Sequence, residues 1–238
     1  MSSTLLELVQ QVVGELSSDI ATPTSIVGNQ DQTVIQLFRL ANRVGVDLVR
    51  EYEWRRLVTE YSFATVNGTA EYDLPADFDR MCVDTHYDRT NDWKNRGPVS
   101  SQEWQWLNTG LSTVTQLRWR LYLNKIKFYS TPGDAYTMAF EYVSRYWVVA
   151  TGGSDATKER FTMDNDTCVF PDDLMALGLK FQWLKAKGLD WEAAYLEFDR
   201  ARSTCKAQDV PDGKKSLSPQ ATPILLDSRS MPEGNWTL

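Results

Sequence analysis

The spacing of apolar residues changes twice along the chain, and this limits the folds open to it. Residues 4–16, 31–54 and 172–208 repeat apolar side chains at helical spacing, which predicts amphipathic helices. Between them, residues 57–149 tend to alternate apolar and polar side chains, as β-strands do. The pattern predicts an α+β fold, in which a helical bundle built from N- and C-terminal helices carries an inserted antiparallel β-rich region.

The same pattern divides the chain into four segments. Residues 1–56 hold the N-terminal helices, 57–170 the β-rich middle, 171–209 a C-terminal helical hairpin, and 210–238 an extended C-terminal tail. We expect the hairpin to fold as one unit with residues 1–56, since each helix must bury its apolar stripe against another element.

Two helices are predicted in the N-terminal segment. The first, Thr4–Leu16, places Glu7 three residues after its N-cap, as a capping box requires. Asp31 caps a second helix that runs to about Trp54. Gly45 either weakens this helix or marks a close contact with another helix.

Two further helices are predicted near the C-terminus. Pro171 suits the first position of a helix over Asp172–Lys187, and Gly188 ends that helix in the left-handed conformation. Asp190 caps a fourth helix to about Gln208. The short link between them predicts an αα-hairpin.

Six segments of the middle region are predicted as strands: Leu57–Val66, Glu71–Leu74, Met81–Tyr87, Gln116–Leu123, Lys125–Ser130 and Tyr136–Val149. Asn67 and Gly68 predict a hairpin between the first two, because both residues tolerate positive φ. Val99–Trp106 is predicted as a short helix, with Ser100 as its cap and Glu103 as the capping-box partner.

Residues 210–238 contain four prolines and show neither helical nor strand spacing. Such a segment buries too little apolar surface to offset its ordering entropy when left alone. It nevertheless carries several large apolar side chains, which favours docking on another chain. The alternatives are that it packs on its own subunit or stays disordered.

Charge and cysteine content exclude several classes of function. The net charge of −7 argues against nucleic-acid binding as the main role, because an acidic chain gains nothing from counterion release. Three cysteines without CxxC spacing fit a reducing compartment and favour neither a disulfide framework nor a zinc site. Residues 1–16 lack the features of a signal peptide or a transmembrane span, so we expect no membrane anchor.

Acidic residues of the middle region are candidates for paired carboxylates of a glycosidase. They are Asp73, Asp77, Asp79, Asp84, Asp88 and Glu103. The simpler interpretation is that they serve turns, caps and strand ends. The alternative is therefore a glycan hydrolase that uses two of them.

Other chemical motifs are weak. His86 is the only histidine, so a zinc or histidine-based catalytic centre has little support, and a core or surface polar contact is the better interpretation. No glycine-rich phosphate loop occurs. Asp164 and Asp166 resemble part of a calcium loop, but the required glycine and terminal glutamate are absent. We expect no catalytic residues, metal site or cofactor.

Two other clusters have competing interpretations. The charged end of the second helix is either a solvated, salt-bridged helix terminus or a contact with a neighbouring subunit: Arg50, Glu51, Glu53, Arg55 and Arg56. Three tryptophans could line a small-molecule site: Trp104, Trp106 and Trp119. No polar constellation accompanies them, which leaves that site without chemistry.

Five segments in this order resemble one family: LPADFDR (Leu74–Arg80), DRT (Asp88–Thr90), GPVSSQEWQWL (Gly97–Leu107), FEYVSRYWV (Phe140–Val148) and LKAKGLDW (Leu184–Trp191). Together they are similar to the head-to-tail adaptors, or tail accessory factors, of tailed bacteriophages, as in short-tailed phages of enteric bacteria. The resemblance covers roughly residues 1–210.

The resemblance implies a structural virion protein rather than an enzyme. The alternative function is a tail-associated peptidoglycan hydrolase that uses two of the candidate carboxylates. Such adaptors are assembled in the host cytoplasm and form a ring, usually of twelve copies, beneath the portal in the neck of the virion. The ring extends the DNA channel, helps to retain the genome and presents a surface to the next tail or nozzle protein. DNA passes through it without sequence-specific binding, and an acidic wall would repel DNA and let it slide.

The C-terminal segments of such adaptors commonly reach along or into the portal. The resemblance thus agrees with the docking interpretation of the tail. The implied portal-binding residues are Pro223, Ile224, Leu225, Leu226, Met231, Pro232, Trp236 and Leu238.

Overall fold

The computed structural model of the chain describes residues 3–16, 20–109 and 117–209. These residues form two compact units. The helical unit comprises the described residues up to 57 together with 144–209. The sheet unit comprises the described residues of 58–143. Each unit has its own core, and each is treated separately below.

The described residues contain both helices and antiparallel strands, so the predicted α+β class is confirmed. The helices are Leu5–Leu16 (α1), Gln32–Glu51 (α2), Ser101–Leu107 (α3), Asp172–Lys187 (α4) and Glu192–Asp209 (α5). The strands are Val58–Ala64 (β1), Glu71–Asp73 (β2), Phe78–Met81 (β3), Tyr87–Asp88 (β4), Trp93–Lys94 (β5), Trp119–Tyr122 (β6), Lys125–Phe128 (β7), Thr137–Ser144 (β8), Val148–Val149 (β9), Ala156–Lys158 (β10) and Thr167–Cys168 (β11).

Helix α1 begins with the predicted capping box. The backbone N–H of Thr4 donates to the Glu7 carboxylate at 2.8 Å, and the N–H of Glu7 donates to the Thr4 hydroxyl at 3.3 Å. At α2, the carboxylate of Asp31 accepts from the N–H of Thr33 at 2.8 Å. Side chains thus satisfy backbone donors that have no partner within either helix.

Helix α2 ends at Glu51, three residues before the predicted end at Trp54. Tyr52 already has extended backbone, with φ −146° and ψ 155°. The indole N–H of Trp54 folds back and donates to the carbonyl of Leu48 at 2.7 Å. One of the last helical carbonyls is therefore satisfied by a side chain, and the helix stops there.

Helix α4 has the predicted bounds, although Pro171 is its N-cap rather than its first helical residue. Its Gly188 has φ 70° and ends the helix in the left-handed conformation, as predicted. Asp190 accepts weakly from the N–H of Glu192 at 3.4 Å, at the start of α5. These two helices form the predicted hairpin.

Helix α4 lies at the centre of the helical unit and contacts α1, α2 and α5. Three packing faces require burial around much of its circumference rather than along one stripe. The buried residues are Leu174, Met175, Ala176, Gly178, Leu179, Phe181 and Trp183. A Cβ at Gly178 would lie 2.7 Å from Val44 Cγ1 and 3.0 Å from Phe198 Cε2, so glycine is needed where three helices meet.

The close contact at Gly45 is with a tryptophan that precedes β9, and not with a helix. The fully buried indole of Trp147 lies directly against the Gly45 backbone, in the space that a Cβ would occupy. The same indole packs edge-on against Phe161, with ring centroids 4.9 Å apart. Strand β9 pairs with β10 and β11 in a small sheet within this unit.

The sheet unit contains two antiparallel sheets. In one, β8 lies between β1 and β4, with β5 at the edge and β3 also pairing with β8. In the other, β7 lies between β2 and β6. The core of this unit consists of Trp119, Ile126, Phe128, Met138, Phe140 and Tyr142.

The predicted hairpin around Asn67 and Gly68 is wrong in its pairing. The turn exists, and Gly68 has φ 81°. However, β1 pairs with β8 over the register Val58↔Val143 to Ala64↔Thr137, whereas β2 pairs with β7. The eight-residue β8 offers β1 seven partners, while the three-residue β2 is too short to compete.

The predicted strand Met81–Tyr87 is also wrong. Strand β3 ends at Met81 and β4 begins at Tyr87. Between them Asp84 adopts φ 62°, which breaks the extended conformation. The tight hairpin of this unit instead joins β6 to β7 through Leu123 and Asn124, which have φ 49° and 59°.

Candidate functional site

All six candidate carboxylates make contacts that account for them structurally. Five have side-chain partners: Asp73 with Lys125 at 3.0 Å, Asp77 with the Tyr142 hydroxyl at 2.9 Å, Asp79 with Arg80 at 2.8 Å, Asp84 with Lys94 at 3.2 Å, and Glu103 with Arg118 at 3.0 Å. Burial and the hydrogen bond to Asp77 raise the pKa of the Tyr142 hydroxyl.

Asp88 is the buried member of the group. Its carboxylate accepts from the N–H groups of Thr90 and Asn91 at 2.9 and 3.2 Å, and from the Asn91 side chain at 2.8 Å. These bonds form the turn that joins β4 to β5. The carboxylate acts as a turn residue, as the simpler interpretation expects.

Glu103 departs from the predicted capping box. Its N–H donates to the Ser100 hydroxyl at 3.1 Å, which confirms the cap of α3. Its carboxylate pairs with Arg118 across to the chain before β6 instead of returning to the N–H of Ser100. Within the sheet unit, this ion pair joins α3 to the chain that leads into β6.

His86 lies inside the core of the sheet unit, with 2% of its surface exposed. Its ring stacks on Trp119 and Phe140, with centroids 4.8 and 5.8 Å away. Nδ1 lies 3.1 Å from the side-chain nitrogen of Asn95, so Nδ1 accepts and Nε2 carries the proton. The polar contact predicted for this residue is therefore a core contact.

Acidification should destabilise the sheet unit through His86. Burial lowers the pKa of His86 from its ordinary 6.5 to about 4. Between these pH values His86 is protonated in the unfolded chain but not in the folded chain. The free energy of unfolding therefore falls as pH drops through this range. We expect a loss of roughly 3 kcal/mol between pH 6.5 and pH 4, measured by denaturant unfolding at each pH.

The variant His86→Phe is the control for this titration. Phenylalanine keeps the stack on Trp119 and Phe140 but cannot take up a proton. The loss assigned to His86 should be missing from its pH profile, whatever its stability at neutral pH. An unchanged profile would assign the acid sensitivity to other groups.

The three tryptophans proposed to line a small-molecule site do not act together. Trp119 is buried in the core, whereas Trp106 is 55% exposed on α3. Trp104 is buried beneath the guanidinium of Arg120, which lies 4.0 Å from its ring centroid. The small-molecule interpretation therefore has no site in this part of the chain.

Asp164 and Asp166 bind the chain's own donors rather than a cation. The Asp166 carboxylate, fully buried, accepts from Lys158 Nζ at 2.8 Å and from the N–H groups of Thr162 and Met163, both at 2.9 Å. Asp164 accepts from the N–H groups of the loop before α2, of which Val27 is the closer at 2.7 Å. No group of three or more His, Cys, Asp or Glu side chains that could hold a metal occurs among the described residues.

The charged end of α2 is largely bonded within the helical unit. Glu51 pairs with Arg202 at 2.9 Å and with Lys206 at 2.6 Å. The backbone N–H of Arg55 donates to Asp209, and the Arg56 guanidinium donates to the carbonyl of Val169. Arg50 and Glu53 are exposed. A contact between subunits through these five residues stays a prediction.

A cavity of about 430 Å³ on the outer side of α2 was not indicated by the sequence. Three arginines line it: Arg39, Arg43 and Arg160. The first two are one helical turn apart, a spacing that could have drawn attention to them. The third comes from the loop after β10 and is distant in sequence, so only the fold brings it near.

The comparison with protein families decides what kind of protein this is. The family described as SU10 adaptor protein matches residues 3–216. The chain belongs to this family. A search of curated proteins finds no match.

Membership of the SU10 adaptor family confirms the resemblance to phage adaptors. The family is one of structural phage proteins, so the chain is a virion component that associates with other components at the head–tail junction. None of the described helices has the length and hydropathy that a membrane crossing requires.

The residues implied to bind the portal lie outside the described residues: Pro223, Ile224, Leu225, Leu226, Met231, Pro232, Trp236 and Leu238. The family match ends at residue 216, before the first of them. Their role in portal binding stays a prediction.

Proposed function

We propose that this SU10-family protein is a head-to-tail adaptor that forms a ring beneath the portal in the neck of the virion. The observation that carries the proposal is the family match over residues 3–216. The ring extends the DNA channel, helps to retain the packaged genome and presents the attachment surface for a tail or nozzle protein. Twelve copies would match the rings that head-to-tail adaptors usually form.

A structural role without catalysis suits the chemistry of the described residues. The candidate carboxylates are held by lysine, arginine, tyrosine and backbone partners, as a scaffold requires. The net charge of −7 also suits a channel wall, because negative charge opposes lasting contact with DNA phosphates. DNA then passes through the ring without sequence-specific binding.

The proposal is tested by imaging the purified chain with its portal by negative-stain electron microscopy. We expect an added ring of density on one face of the portal. The symmetry of that density gives the number of copies. Portal particles that stay bare at micromolar chain concentrations would contradict the adaptor function.

Within this function, we propose that residues 210–238 dock on the portal. Truncation after Asp209 should weaken portal binding at least about tenfold in a sedimentation or surface-binding assay, since the apolar anchors of an interface carry most of its affinity. Replacing Ile224, Leu225 and Leu226 by alanine should reproduce much of the loss.

A matched control for the tail uses the same segment. Lys214→Ala together with Lys215→Ala alters two polar residues of the tail and should leave binding close to that of the unaltered chain. The thermal unfolding midpoint should be the same for all variants. Full portal binding by the truncated chain would refute tail docking while leaving the adaptor function intact.

A further inference from the structure

The arginine-lined cavity of the helical unit joins an exposed positive stripe of α2 to a loop. Arg39, Arg43 and Arg50 follow one another at helical spacing along this helix, and Arg160 closes the cavity from the loop after β10. Apolar contributions come from Phe38 and Val46, which line the cavity and are half-buried. The site therefore offers guanidinium groups beside apolar surface.

The arginines of this cavity are almost free of internal partners. Neither Arg39 nor Arg160 has an ion pair or a side-chain hydrogen bond to any described residue. Arg43 lies 3.7 Å from Asp47, and both side chains are more than half exposed at 65% and 58%. Such a pair contributes little, so the guanidinium groups remain available to an external anion. A planar guanidinium binds a carboxylate in a bidentate manner.

A second surface of the same unit has the complementary composition. At the start of α5, Leu189 and Leu196 are 54% and 55% exposed. Glu192, the first residue of α5, lies one helical turn before Leu196, whereas Leu189 and Asp190 belong to the short segment that precedes the helix. Within the described residues Glu192 has no ion-pair partner. Two exposed leucines beside two carboxylates match the two half-buried apolar residues and three arginines of the cavity.

The nearby cations do not neutralise this acidic surface. Lys185 lies over the ring of Trp191 at 5.7 Å, and Lys187 lies over the ring of Trp183 at 4.5 Å. Both ammonium groups thus lie over aromatic faces, where they cover apolar surface. Neither lysine forms an ion pair with Glu192 within the described residues, so the Glu192 carboxylate remains available to an external cation.

We propose that the arginine-lined cavity of one subunit binds the start of α5 of the next subunit, with Glu192 as the carboxylate it receives. The contact is heterologous, because two different patches meet, and repetition of such a contact closes a ring when the rotation between subunits permits. The inference rests on the proposed adaptor ring and adds the surfaces that form it.

An acidic protein surface fits this cavity better than DNA does. A duplex would meet a chain of net charge −7 and a site that includes the carboxylate of Asp47. The apolar residues Phe38 and Val46 also have no counterpart in a phosphate backbone. Leucine side chains such as Leu189 and Leu196 supply that counterpart.

The test combines charge reversal with rescue. Arg39→Glu together with Arg160→Glu should weaken self-association at least about tenfold, because like charges then face each other across the contact. Adding Glu192→Arg to this variant should restore a substantial part of the association. Association is measured by sedimentation velocity over a range of concentrations, with and without purified portal.

The matched control changes the net charge by the same amount elsewhere. Arg89→Glu together with Arg96→Glu alters two exposed residues of the sheet unit and should leave self-association unchanged. A labelled DNA duplex is titrated into each variant in parallel. Duplex binding that is lost with Arg39→Glu and Arg160→Glu, while self-association persists, would overturn the inference in favour of a DNA contact.

The remaining outcomes separate this inference from the adaptor function. A ring that forms on the portal and is insensitive to the charge reversals overturns the proposed surfaces alone. Failure of the unaltered chain to self-associate, either alone or on the portal, overturns both proposals. Rescue by Glu192→Arg supports the direct contact, since a merely destabilised subunit would not regain association through a third substitution.

Discussion

The variant Gly45→Ala should lose about 3 kcal/mol of the free energy of unfolding of the helical unit. The added Cβ would occupy the space now filled by the six-membered ring of Trp147. That indole cannot withdraw easily, because it is fully buried and packs on Phe161 and Phe170. Denaturant unfolding, followed by tryptophan fluorescence and circular dichroism, measures the loss.

The matched control for this prediction is Gly14→Ala in α1. No atom lies within 4 Å of the position that its Cβ would take. Alanine in place of a helical glycine should therefore raise stability by about 0.5–1 kcal/mol. A Gly45→Ala variant as stable as the unaltered chain would mean that Trp147 does not hold its place against α2.

The variant Asp166→Asn should cost about 3 kcal/mol in the helical unit. The fully buried carboxylate accepts from Lys158, from the Thr162 backbone and hydroxyl, and from Met163. An amide removes the negative charge beside Lys158 and turns an NH₂ group toward donors. Equilibrium unfolding of the variant, compared with that of the unaltered chain, measures the cost.

The pH dependence of Asp166 has a definite sign. Burial acts to raise the pKa of Asp166, but the hydrogen bonds from Lys158, Thr162 and Met163 outweigh it, and the pKa lies below its ordinary 3.8. The stabilisation is thus present above the ordinary pKa and is lost as pH falls through the lowered value. Asp166→Asn should remove this part of the acid transition.

The exposed pair of α2 provides the control for Asp166. Asp47→Asn breaks an ion pair of 3.7 Å between exposed side chains and should change stability by less than about 0.5 kcal/mol. Lys158→Met removes the positive partner of Asp166 and leaves the carboxylate in place, which tests the same ion pair through its other member. A cost for Asp166→Asn as small as that for Asp47→Asn would show that the backbone donors alone hold the loop before β11.

Local chemistry explains why the helices could be predicted. The bonds that start α1 and α2 join residues two or three positions apart, as between Thr4 and Glu7 or Asp31 and Thr33. The left-handed Gly188 is likewise a property of one residue. The end of α2 was missed because it depends on how the Trp54 side chain folds back onto the carbonyl of Leu48, which the spacing of apolar residues does not show.

Strand pairing could not be predicted, because its partners are far apart in sequence. Asn67 and Gly68 do form a turn, yet β1 takes its hydrogen bonds from β8, more than 70 residues later. Turn residues reverse the direction of the chain. The partner of β1 depends instead on which other strand is long enough and has an unpaired edge. The sequence shows the strands of this unit and leaves their order open.

In the candidate site, too, local contacts could be predicted from the sequence and distant ones could not. Reading the acidic residues as turn and cap residues was supported for Asp88 by its bonds to Thr90 and Asn91. The arginine-lined cavity escaped notice because Arg160 is far from Arg39 in sequence. The resemblance to the adaptor family rested on five segments in a fixed order, none of which forms a catalytic or ligand-binding motif. The family match over residues 3–216 then established the membership.

The register Val58↔Val143 bears on whether the sheet unit can be replaced. The backbone leaves the helical unit just before Val58 and re-enters it just after Val143, so the two crossing points are neighbours on paired strands. Antiparallel partners lie about 5 Å apart, a gap that a tight turn can close. Exchange of residues 59–142 for another segment would therefore cost the helices on either side little loop-closure entropy.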